Sequence, residues 1–254
     1  MFLETNNLTK KFGGNTAVHD VDFSIEKGKI NAIIGPNGAG KSTFFNLISG
    51  FHIPTSGQVI FKGKDITNLP ANKVAELGIG RTFQTTNLFE QTTVLDNVMI
   101  GHRLRTKSTL IDAILRTKRL KVEEKQCREK ALEVLEFVGL SAVAHKLVAG
   151  ISQEEKKRVA FALALATDPE IVFLDEPAAG VNPDETEGLA QLMQKMVGKG
   201  ITVCLIEHKM QMIMKIAEKI MVLNYGEKIA EGAPDEIINN DTVIKAYLGG
   251  KTIA

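Results

Sequence analysis

The sequence is poor in the residues that mark disulfide-stabilised, metal-binding or membrane-spanning chains. It contains no tryptophan and only two cysteines among 254 residues. Cys127 and Cys204 are 77 positions apart and lack metal-ligand spacing, so we expect no disulfide and a reducing compartment. The longest apolar run, Val159 to Ala166, has eight residues, whereas a membrane span needs roughly 20. We therefore expect that the chain does not cross a bilayer by itself.

An excess of charge of one sign is also lacking, since 31 Lys and Arg residues face 30 Asp and Glu residues. A net charge of +1 gives no chain-wide electrostatic footprint for DNA, RNA or acidic membranes, so we expect no nucleic-acid partner. The first ten residues lack a basic segment followed by an apolar one, so we expect no signal peptide. A chain of this length can bury roughly 70–75% of its unfolded surface, enough for one or two lobes on a common core.

Proline is absent from residues 71–168, although the chain has seven prolines. Because proline interrupts helices, we predict that this stretch is mostly helical. Within it, Lys121–Val138 shows helical periodicity. The residues predicted for one face of that helix are Val122, Ala131, Leu132, Leu135 and Val138.

Three short apolar runs predict strands that are buried on both faces of a parallel or mixed sheet. They are Lys29–Gly35, Glu170–Leu174 and Ile201–Ile206. Two N-terminal segments, Phe2–Leu8 and Val18–Ile25, alternate more strongly between apolar and polar residues. We expect these two segments to be antiparallel strands.

A hairpin is predicted near the C-terminus, where Ile220–Leu223 and Lys228–Ala230 flank turn-forming residues. Buried strands on both sides of a helical stretch indicate an α/β fold. The expected architecture has a mixed sheet, an N-terminal antiparallel β subdomain and an inserted α-helical subdomain.

A glycine-rich loop follows the first buried run and matches the pattern G-x-x-x-x-G-K-[ST]. Glycines let several backbone N–H groups point at one anion, and the following helix adds its positive N-terminal end. We expect Lys41 to reach the β- and γ-phosphates of a nucleotide and Ser42 to supply an oxygen to Mg²⁺. The predicted binding residues are Gly35, Pro36, Asn37, Gly38, Ala39, Gly40, Lys41, Ser42 and Thr43. The motif predicts a P-loop NTPase core; the alternative is a glycine-rich turn without such a function.

Two carboxylates, Asp175 and Glu176, end the second buried run. A strand end would place Asp175 beside the phosphate loop, where it could hold Mg²⁺ through water. Glu176 could then orient and polarise an attacking water molecule. The alternative is a core strand that stops at a charged turn. Lys41 and Asp175 are 134 positions apart, which leaves room for the inserted helical lobe.

Three further residues occur in the order of a known family's motifs. Phe12 precedes two glycines upstream of the phosphate loop, Gln84 begins the inserted segment, and His208 ends the third apolar run. With the phosphate loop and the two carboxylates, they make the chain resemble the ATP-binding subunits of ABC transporters over nearly its whole length. The resemblance is closest to the subunits of high-affinity branched-chain amino acid importers. The stretches that suggest this are Gly80–Gln84, Thr93–Val98, Asp175–Pro183 and Val243–Gly249.

The resemblance implies a role for each motif residue. Phe12 is expected to stack on adenine with Val18 beside it, and Gln84 to contact Mg²⁺ or the attacking water. Glu176 is expected to orient that water, and His208 to hold the γ-phosphate and fix Glu176. Two such subunits, identical or different, would sandwich two ATP molecules. Each site would be completed by the partner's signature segment, usually Leu-Ser-Gly-Gly-Gln.

The resemblance also implies partners, a location and a division into lobes. We expect transmembrane permease subunits, a second ATP-binding subunit and, indirectly, a periplasmic or extracellular solute-binding protein. The chain would be peripheral at the cytoplasmic face of the cell membrane. Residues 1–254 would form a single ABC ATP-binding domain. Its nucleotide-binding core lobe would span about 1–83 and 168–254, and its helical lobe, with the signature segment, about 84–167.

The signature segment departs from the family pattern. Ile151 and Ser152 stand where Leu-Ser is expected, but Gln153, Glu154 and Glu155 replace Gly, Gly and Gln. Ser152 stays a candidate contact to the partner's nucleotide. Ser152 and Glu155 also fit a helix capping box, whose side chains would occupy the donors that a phosphate needs. We therefore predict a weak composite site.

A basic stretch lies within the inserted segment. Residues 103–121 hold seven basic residues against one acid, Asp112. The simpler interpretation is a solvated, partly amphipathic insert. The sharper hypothesis is a surface near lipid headgroups or the membrane subunit.

Other functions stay open beside the importer ATPase. A soluble ABC ATPase that acts on nucleic acid or ribosomes is disfavoured by the near-zero charge. A regulatory ATP-binding subunit with one degenerate composite site is favoured by the altered signature but opposed by intact Glu176 and His208. A small-molecule kinase would need a phosphate-acceptor site, for which the sequence shows no signal.

Overall fold

The N-terminal part of the chain is an antiparallel sheet. In the computed structural model, which describes residues 1–82 and 88–248, strand β1 (Leu3–Phe12) lies between β2 (Asn15–Ile25) and β4 (Ser56–Phe61). The short β5 (Lys64–Asp65) completes the strand order β2-β1-β4-β5. The predicted antiparallel pairing of the first two strands is confirmed, and both strands are longer than predicted.

A six-stranded sheet forms the centre of the molecule. Its strands are β3 (Ile30–Ile34), β6 (Ile79–Arg81), β7 (Ile171–Asp175), β8 (Thr202–Ile206), β9 (Lys219–Asn224) and β10 (Glu227–Gly232). Their order is β10-β9-β3-β8-β7-β6, and every pair is parallel except β9 with β10. The three predicted buried strands, the C-terminal hairpin and the mixed-sheet α/β fold are confirmed.

Helices cover much of the remaining described chain. Their bounds are Lys41–Ile48 (α1), Ala71–Glu76 (α2), Val94–His102 (α3), Leu110–Leu115 (α4), Lys118–Phe137 (α5), Gln153–Leu165 (α6), Pro183–Gly198 (α7), Met210–Ile216 (α8), Pro234–Ile238 (α9) and Asp241–Leu248 (α10). None of the helices in the described residues is both long and apolar enough to span a membrane. The division into a core lobe and a helical lobe at the expected boundaries stays a prediction.

The proline-free stretch 71–168 contains five of these helices, as expected, but it also contains a strand. Ile79 and Arg81 of β6 pair with Ile171 and Phe173 of β7, at the edge of the central sheet. A lack of proline permits a strand as well as a helix, and three residues are too few to show a period of two. Neither the absence of proline nor the periodicity of the sequence therefore predicted this edge strand.

The buried face of α5 is narrower than predicted. Cys127, Ala131, Val134 and Leu135 are its buried residues, whereas Leu132 is exposed. Successive helix residues are rotated by about 100°, and Leu132 lies outside the i, i+4, i+7 and i+8 spacing of the four buried residues. Val122, near the start of the helix, is exposed as well. The prediction was wrong for Val122 and Leu132 and correct for Ala131, Leu135 and Val138.

The central sheet brings the candidate site residues together. Along β7, Val172 and Leu174 pack into one apolar core while Ile171 and Phe173 pack into a second core. Since both faces of β7 are covered, its polar site residue Asp175 lies where the strand ends. In parallel strands the carboxyl ends share one edge, so the segments after β3, β7 and β8 converge there.

Candidate nucleotide-binding and catalytic site

The loop after β3 has a backbone that only glycine suits at two positions. Gly35 has φ +150° and Gly40 has φ +97°. A Cβ atom on Gly35 would lie 2.1 Å from the carbonyl oxygen of Leu223, and one on Gly40 would lie 2.4 Å from that of Ala17. Both contacts are with backbone that cannot move away easily. The motif glycines are therefore required by packing as well as by conformation.

Helix α1 begins directly after this loop with an N-terminus that no side chain caps. Gly40 is the capping residue, and the first turn contains no acidic residue. The first N–H groups of a helix have no intrahelical acceptor, and the helix dipole makes this end positive. Such an end is suited to a phosphate group.

Lys41 is held at the centre of the loop. Its Nζ donates hydrogen bonds to the carbonyl oxygens of Gly35 (2.8 Å) and Pro36 (2.9 Å). Burial lowers the pKa of the Lys41 ammonium, and the nearby carboxylates of Glu176 and Asp175 oppose this shift. The structure thus places one positive charge between the loop and the two acidic residues.

The phosphate loop, its flanks and the ends of β7 and β8 surround one pocket. Its lining includes Asn37, Gly38, Ala39, Gly40, Lys41, Ser42, Thr43, Glu176, His208 and residues 15–17 of the β1–β2 hairpin. Residues far apart in sequence therefore meet as the motifs predicted. The predicted site residues that do not line the pocket, among those the structure describes, are Phe12, Val18, Gly35, Pro36, Ser152 and Asp175. Phe12 instead packs edge-on against His52, and Val18 is fully buried.

Asp175 forms a buried ion pair that the motifs did not predict. Its Oδ2 accepts a hydrogen bond of 3.3 Å from Nη2 of Arg81, on the neighbouring strand β6. Burial raises the pKa of Asp175, and Arg81 opposes the shift. The second oxygen, Oδ1, is buried without a hydrogen-bond partner among the described residues. That oxygen can accept a hydrogen bond from a water molecule on Mg²⁺, so Asp175 fits its expected role.

Glu176 and His208 form the pair at the edge of the pocket. His208 Nε2 lies 3.2 Å from Glu176 Oε1, a hydrogen-bond distance in the tautomer that carries the proton on Nε2. Glu176 has φ +48°, and its N–H donates to the carbonyl oxygen of Ile206 on β8. A positive φ at a non-glycine residue is uncommon and is frequent at functional sites. The backbone thus turns the Glu176 side chain towards the loop after β8.

Glu207 is a site residue that sequence reasoning missed. Its side chain is buried, and Oε1 accepts a hydrogen bond of 2.9 Å from the N–H of Ala178. Oε2 accepts from the N–H groups of His208 (2.6 Å) and Lys209 (3.3 Å). Glu207 therefore ties the segment after Glu176 to the segment that carries His208. The available signal was an acidic residue between an apolar strand and a histidine, which resembles an ordinary charged turn.

One of the two tyrosines lines this pocket, and the other lies near the phosphate loop. Tyr225, in the β9–β10 turn, is almost fully exposed and lines the pocket. Tyr247, on α10, lies next to Gly35: burial raises the pKa of its hydroxyl, and a hydrogen bond from the Gly35 N–H opposes the shift. The C-terminal helix therefore contacts the first residue of the phosphate loop, which no motif indicated.

The signature segment has the predicted capping box. The N–H of Ser152 donates to Glu155 Oε2 (2.7 Å), and the N–H of Glu155 donates to Ser152 Oγ (3.1 Å). Glu154 accepts a hydrogen bond from Nε of Arg158. Unlike α1, helix α6 thus begins with its own acidic side chains at its N-terminus. Gln84 lies outside the described residues.

Comparison with known proteins identifies the family to which these features belong. The sequence model of the ABC transporter family matches residues 18–179, and that of the branched-chain amino acid ATP-binding cassette transporter matches residues 227–252. The second match contains α10 with Tyr247.

The chain also matches curated relatives over nearly its full length. It is 38% identical over 248 residues to the high-affinity branched-chain amino acid transport ATP-binding protein BraF of Pseudomonas aeruginosa, covering 97% of each chain. It is 37% identical over 248 residues to LivG of Escherichia coli, a protein of the same description, again covering 97% of each chain.

Solved structures agree with this assignment. A nucleotide-free ATP-binding cassette from an ABC transporter superposes with a TM-score of 0.86 at 34% identity, covering 97% of this chain and 98% of that one. A dimeric cassette in a post-hydrolysis state with ADP and Pi gives 0.76 at 28% identity, covering 91% and 98%. The chain belongs to the ATP-binding proteins of ABC transporters, within the branched-chain amino acid transport group.

Proposed function

We propose that this ATPase powers the uptake of branched-chain amino acids, or of a related polar solute, through a membrane complex. The observation that carries the catalytic part is the Glu176–His208 pair at the edge of the phosphate-loop pocket. The names of the full-length relatives support the choice of solute.

The phosphates of ATP would be held by Lys41 and by the uncapped N–H groups at the start of α1. Ser42 would supply an oxygen ligand to Mg²⁺, and Asp175 Oδ1 would accept from a water molecule on it. Mg²⁺ held by these residues would supply positive charge that offsets the charge of the phosphates. The position of Lys41 between loop carbonyls and two carboxylates supports this assignment.

Hydrolysis would depend on how the strand ends position one water molecule. Glu176 would orient and polarise it, and His208 would contact the γ-phosphate while holding Glu176 through their hydrogen bond. Gln84 would contact Mg²⁺ or the same water molecule. Catalysis of this kind is mainly positioning and electrostatic stabilisation.

The nucleotide base would lie on the side of the β1–β2 hairpin. Residues 15–17 of that hairpin line the pocket, and Phe12 lies at the end of β1. Phe12 would stack on adenine after leaving its contact with His52. The buried Val18 would support this side of the pocket from within the protein. The half-exposed ring of Phe12 supports this role, because a core aromatic residue would be covered.

The expected partners follow from the same assignment. Permease subunits would provide the path across the membrane, and a solute-binding protein would deliver the cargo on the other side. This chain would sit on the cytoplasmic face and pair with a second ATP-binding subunit, through a composite site that includes Ser152. The similarity to a dimeric cassette supports such pairing.

A subunit with one weak composite site is the second candidate function. It is favoured by the capping box, because Ser152 and Glu155 already use each other's donors and acceptors. In a heterodimer whose partner has an intact signature, this chain's own phosphate loop and Glu176 would still hydrolyse ATP.

The proposal is tested with the purified transport complex in vesicles, using Glu176→Gln and, as a matched control, Glu136→Gln on the exposed side of α5. We expect Glu176→Gln to bind ATP but to lose ATP hydrolysis and leucine uptake, and the control to retain both. Unchanged hydrolysis in Glu176→Gln would show that this chain is not the hydrolytic subunit. Hydrolysis stimulated by a solute other than a branched-chain amino acid would overturn the choice of cargo alone.

A further inference from the structure

Helix α4 presents an apolar face to solvent, and none of its described residues lines the nucleotide pocket. The exposed fractions of Ile111, Ile114 and Leu115 are 67%, 73% and 69%. Positions i, i+3 and i+4 lie on one side of a helix, so these three side chains form a single apolar face. Exposed aliphatic residues that cluster in this way are typical of an interaction surface, whereas singly scattered ones are not.

Basic side chains border this face. Lys107 precedes α4, and Arg116, Lys118 and Lys121 follow it; all four are exposed. Within residues 1–82 and 88–248, none of the four forms an ion pair. We call these four residues, together with Ile111, Ile114 and Leu115, the α4 surface.

The one acid within residues 103–121, Asp112, offsets only one of the seven basic residues there. Asp112 Oδ2 accepts a hydrogen bond of 2.8 Å from the N–H of Thr109, and Oδ1 accepts one of 3.0 Å from the hydroxyl of Thr117. Both hydrogen bonds lower the pKa of Asp112. The Asp112 carboxylate thus accepts hydrogen bonds from the residues that flank the two ends of α4.

The segment is anchored to the rest of the protein rather than free. Glu123 of α5 accepts hydrogen bonds from the N–H groups of Lys107 (3.1 Å) and Ser108 (2.9 Å) and from Nε of Arg119 (3.3 Å). These bonds hold the connection before α4 against α5. The α4 surface is therefore presented in a defined orientation.

We infer that the α4 surface docks onto the anionic headgroup region of a lipid bilayer. A short helix with an aliphatic face and flanking Lys and Arg residues matches the chemistry of interfacial segments, whose apolar side enters the headgroup boundary while the cations meet anionic lipids. A bilayer is favoured over a protein partner because the basic residues around the aliphatic face, unpaired within the described chain, complement anionic headgroups. This binding is independent of the nucleotide site.

The test is co-sedimentation of the full chain with vesicles of phosphatidylcholine alone or mixed equally with phosphatidylglycerol. One variant carries Ile111→Ser, Ile114→Ser and Leu115→Ser, and another carries Lys107→Gln, Arg116→Gln, Lys118→Gln and Lys121→Gln. Wild-type protein should bind the anionic vesicles, more weakly at high salt. Each variant should bind them roughly tenfold more weakly.

Matched controls remove the same side chains elsewhere on the surface. Ile53, Ile238 and Ile244 are exposed isoleucines for the serine control. Lys11, Lys64, Lys146 and Lys199 are exposed lysines for the glutamine control, with the same change in net charge. Both controls should bind like wild type, and all variants should keep ATP binding and thermal stability.

Two results would overturn the inference. One is wild-type protein that does not bind anionic vesicles, and the other is α4 variants that bind them as well as wild type does. If wild type binds no vesicles and the α4 variants also lose assembly with the permease complex, this surface belongs to a protein partner instead.

Discussion

The carboxylate of Glu207 accepts hydrogen bonds from the backbone N–H groups of Ala178 and His208, at 2.9 and 2.6 Å. Glu176, two residues before Ala178, pairs with the His208 side chain. The buried side chain of Glu207 thus holds together the two segments that carry Glu176 and His208. A charged group with 3% exposure is tolerated there because several backbone N–H groups satisfy its oxygens.

Glu207→Gln should separate this positioning role from nucleotide binding. Glutamine retains one acceptor oxygen but places an NH₂ group against a backbone N–H, so the two segments are held less well. We expect kcat for ATP hydrolysis to fall by about tenfold, with KM for ATP within about twofold. Steady-state ATPase measurements check this.

Glu218→Gln is the matched control, because Glu218 is exposed and accepts from the N–H of Ile30 at the opposite end of the central sheet. It should leave kcat unchanged. A parallel loss of kcat and thermal stability in both variants would mean that Glu207 is only structural.

Gly40→Ala should abolish nucleotide binding. The added Cβ would lie 2.4 Å from the carbonyl oxygen of Ala17, in a backbone conformation with φ +97°. The loop must shift, and a strained residue of this kind costs about 1–3 kcal/mol. Gly198→Ala at the end of α7, where a Cβ meets nothing within 4 Å, should be neutral. Calorimetric titration with ATP and thermal unfolding test both variants; retained ATP affinity in Gly40→Ala would contradict the packing argument.

Restoring the signature should raise turnover at the partner's site. Changing Gln153 and Glu154 to glycine and Glu155 to glutamine removes two carboxylates from the start of α6 and weakens the capping box. We expect a loss of about 1 kcal/mol in the free energy of unfolding and a several-fold rise in ATPase rate of the dimer. The substitution of Glu154 by glycine also removes the hydrogen-bond partner of Arg158, so Glu155→Gln by itself is the partial control. No increase in rate would contradict the weak composite site.

The anchor of the α4 segment should depend on pH through Glu123. Hydrogen bonds from Ser108, chiefly from its hydroxyl, lower the pKa of Glu123 to about 2 from an ordinary 4.5. For a carboxylate with a lowered folded-state pKa, the stabilisation is present above the unfolded pKa and is lost as pH falls through the folded pKa. Hydrogen exchange of the amides of Lys107 and Ser108 should therefore be faster in Glu123→Gln than in wild type at neutral pH. The difference should shrink between about pH 4.5 and pH 2. Glu124→Gln, its exposed neighbour, should exchange like wild type throughout.

Much of the site was predictable from short motifs, because their chemistry depends on local residues. The residues of Gly35–Ser42 specify the turn and the start of the helix through local conformation. Asp175 and Glu176 end an apolar run that is typical of a buried strand. The order of these motifs was enough to indicate the family. Periodicity was less informative for α5, since Val122 and Leu132 are apolar yet face solvent.

The sequence alone therefore determined the phosphate loop, the acidic strand end, the buried strands and the lack of excess charge. Only the tertiary structure decided what stands next to them. Arg81 contacts Asp175 because β6 pairs with β7. Glu207 connects the segments after β7 and β8 because these two strands are neighbours in the sheet. Tyr247 comes near Gly35 because α10 packs against β10 and α9. Such partners are separated by 29 to more than 200 positions, and strand order and packing, not local pattern, bring them together.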